Sequence, residues 1–221
     1  DLQLQGAMEE VLDADVDLLV GPAAVDLLGQ VATVVAAEGL AGCAATTVGV
    51  DALADDGGRY VRTIPSERAM ARALAQVVSD DGHATVAVLF SDAVTATYVD
   101  EITSAMDSLG ITTVAEIASE EAGPDDVATE LVEAAPDAAV IVGFGSTADV
   151  INAGQTAGFT GRWYGDDGIE YEEVADAIFG DRTLISGLTY AADPDGAEDV
   201  SPRITDASGQ DDLYGEYVYD C

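Results

Sequence analysis

Apolar positions along this chain switch period in a regular order. Val25–Glu38 carries them at helical spacing and closes on Gly39, the residue type that best ends a helix in a left-handed conformation. Short apolar runs alternate with such stretches. Val16–Val20 is one, halted by Gly21-Pro22, and reads as a buried strand reaching its loop. Gly6–Ala14 has helical spacing, and Leu40–Ala45 reads as a short, weak strand. Thr46–Gly58 is loop with a single helical turn around Asp51–Ala54, and Tyr60–Thr63 is extended until Pro65 breaks it.

A second series then begins. Ser66–Asp81 reads as a helix with Ser66 as N-cap. Thr85–Phe90, Thr112–Ile117 and Ala138–Val142 read as strands. Helices follow them over Thr97–Leu109, Asp125–Ala135 and Thr147–Ala157, the first and last stopped by Gly110 and Gly158, the second introduced by Pro124. Trp163-Tyr164 is a very short strand, and Gly165-Asp166-Asp167-Gly168 must turn. Glu172–Phe179 is helical, Leu184–Tyr190 a strand, Asp193–Gly209 an acidic loop and Leu213–Cys221 the start of another helix. Regular alternation of strand and helix predicts an α/β protein whose parallel sheets are covered on both faces. The break at Arg62-Thr63-Ile64-Pro65 reads as a crossover between two such units. Only two strands are recognisable before it, too few for a stable sheet.

Charge changes the picture most. Forty-three Asp and Glu oppose seven basic residues, a net charge of −36, and every basic residue is Arg. The acids are spread through well-patterned segments, unlike the blocks of a disordered acidic tail. A folded unit this acidic repels itself unless salt screens it, and at molar salt the Debye length falls to roughly 3 Å. The composition therefore points to a halophilic protein. Nucleic-acid binding is disfavoured, since no basic stripe exists to neutralise phosphates. Val31–Val50 is interrupted by Glu38 and Gly39 and reads as a helix running into a strand, not a membrane span. The opening Asp1-Leu2-Gln3 shows no signal-peptide pattern. Cys43 and Cys221 stand far apart and imply no disulfide framework, and two Cys with one His cannot furnish a structural zinc site.

The turn after Trp163-Tyr164 carries the candidate chemistry. A strand ending in a carboxylate-bearing turn sets negative charge at the carboxyl edge of a sheet, where open α/β sheets bind ligands. It offers a site for a cationic group such as an α-ammonium. Gly143-x-Gly145-x-x-Ala148 formally matches a dinucleotide fingerprint with Asp166 beyond it, but a nucleotide fingerprint normally opens a parallel series and this one lies deep inside its own. Asp13, Asp15 and Asp17 lack the glycine and the closing acid of a calcium loop, and Asp193-Pro194-Asp195-Gly196 is too short for one. His83 has no catalytic partner in view, and no nucleophile elbow, zinc helix or P-loop occurs.

Taken in order, these segments resemble a family. Val16–Pro22, the helix ending in Glu38-Gly39 and Ala44-Ala45-Thr46 resemble the first lobe of type I periplasmic solute-binding proteins, in particular the branched-chain amino-acid (Leu/Ile/Val) receptors of ABC transporters. Arg62-Thr63-x-Pro65-Ser66 is similar to the family's crossover, Val86–Phe90 to its next strand, and Pro136–Gly145 and Trp163–Gly168 to two further landmarks. Tyr217-x-Tyr219-Asp220 resembles the start of the helix that returns to the first lobe. The resemblance implies two Rossmann-like lobes with parallel sheets: a partial first lobe over 1–63, a second lobe over 64–190 and a return segment over 191–221. It also implies that an opening strand–helix–strand and most of the closing segment lie outside this sequence.

In the family the ligand sits between the lobes, its carboxylate on hydroxyls and backbone N–H groups of the first and its ammonium on a carboxylate of the second. Carried over by residue, the resemblance assigns the ammonium to Asp167. It puts Phe144 where many members carry Tyr, and Ala44 and Thr46 on the first-lobe loop. Ala24 and Val25 replace a Ser-Ser pair, and Thr95 and Ala96 replace a Tyr-Gly pair. Three polar or aromatic contacts thus differ from the family pattern. The resemblance implies a protein without catalytic chemistry or cofactor, working outside the cytoplasm, free or lipid-anchored, with an ABC permease as partner. Two rivals are a ligand-sensing domain of the same fold joined to a signalling module, and a nucleotide-dependent α/β enzyme using the glycine-rich turn.

Overall fold

Two compact units account for the chain described, one within residues 1–66 and one within 67–189. The computed structural model describes residues 2–14, 16–22, 25–44, 59–91, 93–118, 122–142, 147–165 and 184–186.

The first unit contains α1 (Leu2–Asp13), β1 (Leu18–Val20), α2 (Val25–Glu38), β2 (Ala41–Ala44) and β3 (Tyr60–Arg62). Its strands are parallel in the order β1-β2-β3. The extended stretch at Tyr60 is thus a paired third strand, where the sequence pattern showed only two. Side chains alternate across the sheet. Leu19, Ala44 and Tyr60 point to one face and pack with Met8 of α1 and Leu28, Val31 and Val35 of α2. The Tyr60 ring lies over Gly42, its register partner, where a Cβ would collide with it. The Tyr60 hydroxyl donates to the Gly21 carbonyl, and burial pushes its pKa up to about 12.

Leu18, Val20 and Val61 point the other way and are 46, 48 and 63% exposed. The run expected as a buried strand is therefore buried on one face only, because α1 and α2 both cover that same face. Cys43, on the exposed face, is disulfide-bonded. The two cysteines imply no disulfide framework in the sequence and leave their redox state open; the structure has Cys43 bonded, and the chain's other cysteine, Cys221, lies outside the described residues.

The second unit contains α3 (Glu67–Asp80), β4 (Thr85–Phe90), α4 (Ala93–Ser108), β5 (Thr112–Ala118), α5 (Pro124–Ala134), β6 (Ala138–Val142), α6 (Thr147–Ala157), β7 (Arg162–Gly165) and β8 (Leu184–Ser186). All five strands are parallel, ordered β5-β4-β6-β7-β8. Central β6 is Ala-Ala-Val-Ile-Val and buried throughout, as a strand covered on both faces must be. On one face Val127 and Leu131 of α5 and Val150 and Ile151 of α6 pack against Ala87, Leu89, Ala139, Ile141 and Trp163. The paired helices α3 and α4 take the opposite face, joined by Arg68, whose Nε and Nη2 donate to the Glu101 carboxylate at 3.0–3.3 Å. Pro124 starts α5 at its first turn, and Ala135, in the left-handed region at φ 48°, ends it.

Candidate functional site

Parallel strands deliver all their carboxyl ends to one edge. In the second unit the chain builds β4, adds β5 on one side, then moves to the other side for β6 and β7. The loops leaving β4 and β5 therefore diverge from those leaving β6 and β7. The crevice beside such a switch of direction is where open α/β sheets take ligands. Phe90 of β4 is in register with Val142 of β6, and Ile141 of β6 with Gly165 of β7. Three neighbouring strands, each about 4.8 Å from the next, thus end together.

In sequence, the expected residues of this unit follow strands that end at this edge. Thr95, Phe144 and Asp167 follow the ends of β4, β6 and β7 by five, two and two positions. Thr95 is the third residue of α4, which starts at Ala93 and not at Thr97. No Gly or Pro separates Ala93 from Thr97, so nothing delays the helix, and Thr95 stands in a first turn whose backbone N–H groups lack intrahelical acceptors. Phe144 and Asp167 themselves lie outside the described residues, as do Thr46 and Ala24. In the first unit, Ala44 ends β2 and Val25 opens α2 just beyond β1, both at the carboxyl edge of their own sheet. The Ala44 methyl is fully buried under α1 and α2, and its carbonyl accepts the Thr63 N–H at 3.1 Å.

What holds β7 in place determines where the chain leaves the sheet at Gly165. Trp163 and Tyr164 point to opposite faces and are 2% and 0% exposed. The Trp163 indole meets Phe159 edge-on, with centroids 5.2 Å apart. It packs on α6 at Gly154, where an added Cβ would stand 2.9 Å from Cζ2. On the other face the Tyr164 hydroxyl donates to Asp81 Oδ2 at 2.6 Å, and Arg162 pairs with the same oxygen at 3.2 Å. Burial, then the hydrogen bond to Asp81, pushes the Tyr164 pKa far above its ordinary value. The short strand is thus anchored through both helical layers.

A second anchor sits at the opposite, amino edge. The Asp137 carboxylate accepts the backbone N–H groups of Ala84 and Thr85, each at 3.0 Å, while the Asp137 N–H donates to Thr85 Oγ1 at 3.0 Å. These bonds, the one from Ala84 first, hold its pKa below the ordinary carboxylate value. They tie the starts of β4 and β6 together and so keep their far ends level. Neither anchor was visible in the sequence; an Asp directly before a buried strand and an Arg directly before Trp-Tyr are the only hints.

An open hollow of about 610 Å³ flanks the end of β5, lined by Ala118, Ala122, Asp126, Thr129 and Glu130. It lies on the outer side of the sheet, away from β6 and β7. Among the described residues no cluster of three or more His, Cys, Asp or Glu could hold a metal ion, and no helix is long and apolar enough to cross a membrane.

No protein-family model matches the sequence, and neither does any curated protein. Solved structures do match in fold. One is an ABC-transporter solute-binding protein from R. palustris in complex with benzoate, 13% identical, with a TM-score of 0.77 over 98% of this chain and 62% of its own. A leucine-binding protein from Thermotoga maritima is 16% identical, with a TM-score of 0.77 over 98% of this chain and 64% of its own. A branched-chain amino-acid transporter substrate-binding protein from Streptococcus pneumoniae, in complex with isoleucine, is 17% identical, with a TM-score of 0.73 over 95% and 63%. The chain therefore spans less than two thirds of the length of these structures. What it contains has the mixed α/β, parallel-sheet fold of the type I periplasmic solute-binding proteins of ABC transporters.

Proposed function

We propose that this protein is the extracytoplasmic solute-binding component of an ABC transporter and takes a small amino acid in a cleft between two lobes. The lobes are residues 1–63 and 64–190, with 191–221 returning to the first. Asp167 receives the ammonium group and Phe144 walls the apolar side chain. Thr46, with main-chain groups around Ala44 and Val25, receives the carboxylate, and Thr95 lies at the rim. The lobes hinge at Thr63–Pro65 and Tyr190–Asp193. The closed form docks on a membrane permease, and no bond in the solute is made or broken.

One observation carries this reading: the ends of β4, β6 and β7 lie level where the strand order reverses, and the last of them is followed in sequence by Asp166-Asp167. The neighbouring structures add support, since those named bind leucine, isoleucine or benzoate. All three ligands carry a carboxylate, and only the amino acids add an ammonium for Asp167 to meet. Such a charge-assisted hydrogen bond is worth about 1.5–3 kcal/mol. Inside a closed cleft, salt screens it far less than it screens a surface pair.

A thermal-shift series on the full-length protein in molar KCl tests the reading, with leucine, isoleucine, valine, benzoate and NAD as additives. A ligand present at about 100 times its Kd stabilises by about 2.7 kcal/mol. The expected result is a raised melting temperature with an aliphatic amino acid and none with NAD. A shift with NAD alone would replace solute binding by nucleotide chemistry; a shift with benzoate alone would keep the transport role and remove the amino acid.

A further inference from the structure

Basic residues are scarce on this chain, and two of them stand together. Among the described helices only α3 carries any, Arg68 and Arg72, one turn apart. Each of the other described helices shows acids to solvent, as Glu9, Glu38, Asp107, Asp125 and Asp149 do on α1, α2, α4, α5 and α6. On α3 the first acid, Glu67, is buried. The next is its last residue, Asp80, which accepts a hydrogen bond from the Gln76 amide at 2.8 Å. Met70, Leu74 and Val78 are buried, so the stripe that α3 turns to solvent is Arg68, Ala69, Arg72 and Gln76.

The two arginines differ. Arg68 is bound to Glu101 of α4. The exposed Arg72 side chain makes no hydrogen bond or ion pair among the described residues, although the chain holds forty-three acids. A guanidinium sheds water more readily than an ammonium and takes a carboxylate through two parallel bonds. The Ala69 methyl beside it lets a second surface come close. We propose that this stripe of α3 is a docking surface for a carboxylate-bearing face of the membrane permease. The identity of the partner rests on the transport reading above. A second copy of this chain fits worse: two-fold pairing of the stripe sets arginine on arginine, and a head-to-tail contact leaves one stripe open unless it closes into a ring. Nucleic acid and anionic lipid are repelled by the net charge of −36. Salt weakens exposed ion pairs, but a pair enclosed in an interface is screened far less.

The test is sedimentation of leucine-loaded protein with liposomes that carry the cognate ABC permease, in molar KCl, beside calorimetric titration of each variant with leucine. Arg72→Glu should dock at least about tenfold more weakly, with leucine affinity and melting temperature equal to the parent's. Arg72→Lys, which keeps the charge and loses the planar fork, should fall between the two. Ala7→Glu, which adds an acid at an exposed position of α1, should dock as the parent does. Equal docking by Arg72→Glu and the parent would overturn the proposal and leave the transport role standing. Equal sedimentation with liposomes that lack the permease would overturn it in favour of lipid. A leucine-bound parent that does not dock would overturn it together with the transport role. Docking that depends on Arg72 in a parent that binds no leucine would support the surface and remove the amino acid from the reading of the solute.

Discussion

Asp137 shows what a single carboxylate does in a chain that holds forty-three acids. Most acids on the described helices face water, as Asp100, Asp107, Asp125, Glu130 and Glu133 do. Asp137 instead caps the start of β4 with two N–H bonds. Its lowered pKa makes this contribution pH-dependent. A depressed carboxylate stabilises the fold fully above its unfolded value, near 3.8, and the contribution is lost as pH falls through the lower folded value. Asp137→Ala should therefore melt earlier than the parent at neutral pH, and the gap should close as the pH is taken well below 3.8. Melting curves of the two proteins across that range check it, and a gap unchanged in acid would remove the carboxylate from the cap. The Asp137 cap and the Asp81–Tyr164 bond, the latter joining residues 83 positions apart, were not legible in the sequence. Local pattern carries no record of which distant polar groups meet.

Elements were far more legible, for reasons that differ along the chain. The bounds of β4, β6 and α6 follow directly from runs of apolar or β-branched residues closed by glycine or opened by Thr. The strand at Val16–Val20 was read as longer and more buried than it is, since an apolar run does not say whether one face or both will be covered. The start of α4 was placed late because Ala93–Ala96 carries no cap signal. The pairing of β3 was missed because three residues hold too little periodicity to mark a strand. Packing between elements decides what a glycine is for. Gly6 in α1 has nothing within 4 Å of an added Cβ, whereas Gly154 in α6 would press Trp163 at 2.9 Å. Alanine gains up to about 1 kcal/mol over glycine inside a helix. Gly6→Ala should thus stabilise by about that amount, while Gly154→Ala should lose about 1–3 kcal/mol to overpacking. Chemical denaturation of both variants checks the opposite signs; equal gains would mean that the β7 anchor is looser than the packing shows.

At the scale of the whole molecule, a net charge of −36 with no Lys governs the conditions under which the fold survives. Near 1 M salt the Debye length is about 3 Å and neighbouring surface carboxylates scarcely interact; at 0.1 M it is about 10 Å and they repel. The fold should melt as salt falls below roughly 0.5 M, followed by circular dichroism; a spectrum unchanged in dilute buffer would count against halophily. The candidate site was legible at this scale as an edge and not as a pocket. Strand ends could be read from alternation and glycines, and the sheet order brings those ends together; Asp166 and Asp167 lie outside the described residues. What a solute touches depends on loops whose contacts no periodicity encodes.

The central claim is that a carboxylate two residues past β7 holds the ammonium of a small solute. Calorimetric titration of the full-length protein and its Asp167→Ala variant with leucine in molar KCl tests it most directly. The account predicts that the variant binds at least about tenfold more weakly, the equivalent of about 1.4 kcal/mol, with its melting temperature unchanged. Equal affinity in the two proteins would contradict it.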